Sequence, residues 1–300
     1  MKFTLLVILL TMGFIGFKND RLTVKSIKIF KNTPAWELVK AVDKENIAKI
    51  NEIIKRKPDL VNYKEPIYGT TLLMRAISSE KYSSTKALLD HHANPNIIAN
   101  TGSSALFRAV SHSWYDSKAS DDPKYLKLLL KHNGNPNLIY CAPKVDKETS
   151  PIECGTSLLM HAVSRSFLKT RLLIEAGADI QYKTKTGKTA SVVALMMKDI
   201  DAAYHLIVEK NADITAPYYF YSLTDNTIIE IDKPHYPVDL LLDWIYEISS
   251  NEYSKKMAIV QQFKNQGVDY FERKDKISTL TLNRIKKLHP NDWEEFINKY

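Results

Sequence analysis

Glycine and cysteine are both scarce in this chain, with nine and two among 300 residues. So few glycines leave no Gly-x-Gly-x-x-Gly turn and no Gly-x4-Gly-Lys-(Ser/Thr) loop, the backbone cradles that hold nucleotide phosphates. There is no His-Glu-x-x-His, and no pair among the eight histidines stands at the i, i+4 spacing of a helical metal site. Long apolar runs are also missing. The longest, Phe3 to Phe17, falls short of the roughly 20 residues of an ordinary membrane span. Charge of one sign is not concentrated in the body of the chain. Residues 1–33 hold six basic groups against Asp20 alone, so the formal charge of +8 leaves only +3 for the other 267 residues. No basic stripe of the kind a phosphate backbone requires is left, which argues against nucleic acid as a partner.

What glycine there is sits at repeating positions. Gly69, Gly102, Gly155 and Gly187 open the runs GTTLLMRA, GSSALFRA, GTSLLMHA and GKTASVVA. Each is a Gly-x-(Ser/Thr) step followed by an apolar helical stretch ending in alanine. Gly177 and Gly267 close a second kind of run, LLIEAGADI and QQFKNQGVDY, and Gly134 lies in the matching LLLKHNGNPN. The residue closing that second helix must take a left-handed conformation, which glycine tolerates best. The equivalents are His92, Asn133, Gly177, Asn211 and Gly267, and both asparagine and histidine are enriched at positive φ. Ala76, Ala109, Ala162 and Ala194 share one helical position where neighbouring helices approach closely. Leu73, Leu106 and Leu159 precede three of them by one helical turn and predict an apolar stripe. Units this small cannot bury their own apolar faces, so the pattern predicts a stack.

The run of residues resembles the ankyrin repeat, with its Thr-Pro-Leu-His-x-Ala helix start and period of about 33 residues. The resemblance spans residues 34–272 in about six units, and the proline survives only as Pro237 in the divergent last one. It implies an all-α ankyrin-repeat solenoid. Beyond it, Trp293-Glu294-Glu295-Phe296 reads as a terminal amphipathic helix, which predicts a helical C-terminal cap over 273–300. Three insertions interrupt the period. The third, 216–237, carries Tyr218, Tyr219, Phe220 and Tyr221 before a polar Asp225-Asn226 turn and a β-branched run, which predicts a β-hairpin insertion.

Lys2 followed by the apolar run predicts a signal peptide or membrane anchor over 1–17, with a basic linker over 18–33. Export is supported by the cysteines. Cys141 and Cys154 bracket one polar insertion, LIYCAPKVDKETSPIECG, and are expected to form a disulfide.

The ankyrin resemblance implies binding by turns and first-helix ends. The candidate contact residues are Tyr68, Ser79, Ser111, His112, Arg165, Met196, Met197, Tyr218, Tyr219, Phe220, Tyr221 and Trp244. The reading is a monomeric, non-catalytic scaffold outside the cytoplasm that uses no cofactor and binds another protein. Its membrane contact is confined to the N-terminal segment. A periplasmic immunity protein facing a cognate toxin is the sharpest form; a host-binding effector and an accessory to an envelope enzyme are the alternatives. Ser111 and His112 are neighbours on one helix, point in different directions and do not form a nucleophile–base pair.

Overall fold

In a computed structural model, residues 26–111, 121–141, 153–224, 227–231 and 233–299 are described. The predicted N-terminal signal, His112, most of the loop 111–123 and the Asp225-Asn226 turn lie outside them. No helix among the described residues is long and apolar enough to cross a membrane.

The helices come in pairs: α1 (Trp36–Asp43) with α2 (Ile47–Arg56), α3 (Leu72–Ser78) with α4 (Tyr82–Asp90), and α5 (Ala105–Val110) with α6 (Lys124–Lys131). They continue as α7 (Leu158–Val163) with α8 (Phe167–Glu175), and α9 (Ala190–Met197) with α10 (Ile200–Tyr204). First helices α1, α3, α5, α7 and α9 pack side by side as one layer. The four alanines and the three leucines of the sequence pattern are buried where they meet.

Each glycine-initiated step does the same local work. The third residue of Gly-x-(Ser/Thr) is the N-cap: Thr71, Ser104, Ser157 and Thr189 each accept a hydrogen bond from the backbone N–H three residues on, at 3.2–3.3 Å. The glycine itself sits at positive φ in the turn before it. His92, Asn133, Gly177, Asn211 and Gly267 all have positive φ, at the position expected of them. Gly134 does not; what it provides is space, since a Cβ there would lie 2.8 Å from the Leu129 carbonyl.

Side-chain amides tie successive turns together. Asn62 accepts from the Asn94 N–H (2.7 Å), Asn96 from Asn135 (2.7 Å), Asn137 from Asp179 (2.7 Å) and Gln181 from Asp213 (3.0 Å). On the other edge the fingers are stitched one to the next. The Asn100 N–H donates to the Tyr68 carbonyl, the Tyr140 hydroxyl to Thr101, the Tyr182 hydroxyl to Gly155 and the Tyr219 N–H to Thr186, all at 2.8–3.0 Å.

The last unit departs from the others. A 3-10 helix, Pro237–Asp243, takes the first-helix place beside α9, and α11 (Asn251–Asn265) packs on α10. With neither the glycine turn nor a Ser/Thr cap, Tyr236 offers no side-chain cap, and the segment winds tightly instead. Two short strands, β1 (Tyr221–Thr224) and β2 (Thr227–Ile231), pair antiparallel within the insertion. Below them the Tyr218–His235 bridge anchors the insertion to the body. At the C-terminus, α12 (Thr279–Leu288) and α13 (Trp293–Lys299) form a small cluster around Ile285 and Phe296.

Candidate functional site

The face built from the first helices and the fingers carries a ladder of polar side chains across three successive repeats. Arg75, Arg108 and His161 occupy the same place, each just before the stacking alanine. Each reaches back to the residue two positions beyond the stacking alanine of the preceding unit. Arg75 Nη2 donates to Asp43 Oδ1 at 3.0 Å, and Arg108 Nη1 donates to Ser78 Oγ at 3.0 Å. His161 Nε2 and Ser111 Oγ share a hydrogen bond at 2.6 Å.

The rungs differ in charge. Arg75 meets a carboxylate. Arg108 meets only a hydroxyl, and its Nε is buried with no acceptor among the described residues. Burial, then the charge of Arg75, lowers its pKa to about 10. Burial lowers His161 to about 4, helped by Arg165 and Lys169, so the ring is neutral at pH 7.

Ser111 and His161 thus form the Ser–His pair that sequence adjacency did not show. Among the described residues no carboxylate orients the imidazole, and the charges that act on it are the cations Arg165 and Lys169. A base of such low basicity is poorly matched to activating a hydroxyl. Lys169 is buried behind this rung and donates to the Ala109 and Val110 carbonyls at 3.1 and 3.0 Å, satisfying the C-terminus of α5. Burial lowers its pKa to about 8, against the opposing pull of Asp121 and Asp122.

The sequence-predicted contact residues divide by exposure. Met197 is 54% exposed and Phe220 43%; Arg165 is also exposed, and Tyr68, Ser79, Ser111, Met196 and Tyr219 are half-buried. Ile67, in the first finger, is 52% exposed. Two candidates are corrected. Tyr218 is 3% exposed because it stacks on His235 (5.5 Å) and edges on Phe220 (5.7 Å), folding the start of the insertion back onto the body. Trp244 is 2% exposed, inside the core cluster that the last repeat shares with the body. Its carbonyl accepts from the buried Lys256 ammonium at 3.1 Å. Burial, then Lys274, holds Lys256 well below its usual pKa. His112 lies outside the described residues, and of Tyr221 only the strand backbone is described.

Cys141 and Cys154 stand at disulfide distance, with Cα atoms 4.4 Å apart at the two ends of their insertion. On the opposite layer, a cleft of about 620 Å³ is lined by Asn51, Lys55, His91 and His92 among others, and His91 is bonded to Asn51 at 2.9 Å. No group of three metal-ligating side chains occurs among the described residues.

Paired helices, left-handed caps and stitched fingers together settle the architecture. The fold is an ankyrin-repeat solenoid. The solved human ASB11 ankyrin repeat domain is similar to it, at 16% identity and a TM-score of 0.47, over 77% of this chain and 84% of that one. The sequence matches no protein-family model and no curated protein.

Proposed function

We propose that this ankyrin solenoid is a non-catalytic protein-binding scaffold that works outside the cytoplasm. The observation that carries the reading is the row of solvent-facing side chains on the finger and first-helix face. Ile67, Met197 and Phe220 remain exposed there while the equivalent stacking residues are fully buried. Flexible and aromatic apolar side chains left in water at the ends of rigid elements are what an interface core uses. Export is supported by the Cys141–Cys154 pair, since disulfides form and last mainly in oxidising compartments, and by the basic and apolar N-terminal sequence. In its sharpest form the scaffold is an immunity protein that occludes a toxin acting in the periplasm.

The test separates folding from binding. Replacing 221–232 by a short glycine linker between Phe220 and Lys233 keeps the Tyr218–His235 anchor. Affinity for a partner purified from the source organism should fall at least tenfold, about 1.4 kcal/mol, while the repeats still unfold cooperatively. Met197→Asp should act in the same direction. Unchanged affinity in both variants would reject this face as the binding surface.

A further inference from the structure

Among the described residues, the side-chain ladder has one rung whose cation meets no carboxylate. In the first rung, Asp43 supplies a carboxylate to Arg75 across the α1–α3 junction. One repeat on, the place of Asp43 is taken by Ser78, so Arg108 has a hydroxyl where Arg75 has an anion. A guanidinium carries five N–H donors, and among the described residues Arg108 uses one. The charge that acts on it most among the described residues is that of Arg75, another cation. A partly buried guanidinium without an anion is costly, and a planar fork is matched best by a two-oxygen acceptor.

The preceding rung shows which anion this register takes, because Asp43, a carboxylate, meets Arg75 there. Arg108 lies in the last turn of α5, and Ser78 is the last residue of α3. The Arg108–Ser78 bond lies at the exposed surface, so the rung can be reached from solvent.

We propose that the exposed rung of Arg108 and Ser78 receives an aspartate or glutamate side chain of the protein partner, which supplies the carboxylate that Asp43 supplies one repeat earlier. This rests on the protein-binding reading and names a chemical feature of the partner: an acidic residue presented on an extended segment.

The experiment uses the whole chain and acetylated hexaglutamate as probe, followed through the Nε–Hε resonance of Arg108 in arginine-labelled protein. Wild type should bind and shift that resonance, and acetylated hexaglutamine should not. Arg108→Gln should weaken binding at least tenfold. Ser78→Asp should do the same while raising the thermal midpoint, because the new carboxylate occupies the rung in cis. Hexaglutamate binding that survives both substitutions, or a Ser78→Asp protein with unchanged midpoint and unchanged binding, would overturn the proposal. Inorganic phosphate binding as tightly and displacing the peptide would make this a free-anion site and overturn it as well. Failure here leaves the hairpin and Met197 experiment untouched, so a wrong rung and a wrong function give different results.

Discussion

Ser111 Oγ and His161 Nε2 share a 2.6 Å hydrogen bond across two adjacent first helices, although 50 residues separate them in sequence. The pair is a tie between repeats. With its ring buried and flanked by Arg165 and Lys169, His161 stays neutral in the folded protein down to about pH 4.

That depressed value predicts a pH dependence with a definite sign. Unfolded histidine binds its proton near pH 6.5 and the folded one near 4, so between those values the unfolded state holds more protons. Stability should fall as pH drops through this window, by on the order of 3 kcal/mol. His161→Gln keeps a hydrogen-bonding side chain for Ser111 without a titrating ring. Urea unfolding at a series of pH values should show a flatter slope for this variant; an identical slope would mean His161 is not what titrates.

The stacking layer should respond to cavities. Leu159→Ala and Leu106→Ala each remove a side chain that is 1% exposed or less, and should cost about 2–5 kcal/mol. Cap removal at Ser104 or Thr189 by alanine should cost about 1 kcal/mol. Denaturant midpoints give the ranking, and a leucine loss below the cap loss would contradict the packing described.

Two glycines separate conformational strain from space. Gly177 has φ +89° with nothing within 4 Å of an added Cβ, so Gly177→Ala should cost about 1–2 kcal/mol from backbone strain alone. Gly187 has φ +78°, and an added Cβ would meet the Pro217 carbonyl at 2.5 Å. Gly187→Ala should cost about 2–5 kcal/mol, strain and overpacking together, and should disturb the Tyr219–Thr186 bond. Equal losses at the two sites would place the 217–219 segment elsewhere.

Oxidation should matter to stability. Protein purified from an oxidising compartment should be two hydrogens lighter by mass spectrometry than after reduction. Breaking the Cys141–Cys154 pair, which closes a short loop, should cost about 3 kcal/mol. Two freely alkylated thiols in such material would remove the main support for export.

Much of the repeat grammar is local and therefore legible. A left-handed helix end accepts few residue types, so His92, Asn133, Gly177, Asn211 and Gly267 announce themselves in the sequence. Glu45, Glu80 and Lys198 are also at positive φ, between first and second helices, and nothing in their residue types signals it. There the surrounding packing imposes the conformation against local preference.

The sequence by itself determined the repeating unit, its caps and its buried stripe, because each depends on spacing within a single helix pair. Only the tertiary structure decided which side chains meet between repeats. Arg75 with Asp43, Arg108 with Ser78 and His161 with Ser111 are pairs set by the register of one first helix against the next. The burial of Trp244 and Tyr218 was decided in the same way. Both sit at places where a regular repeat would leave them facing solvent, and the tight 3-10 turn and the folded-back insertion enclose them instead. Contacts between units arise from how the units stack, and stacking geometry has no short-range signature for a reader of the chain to find.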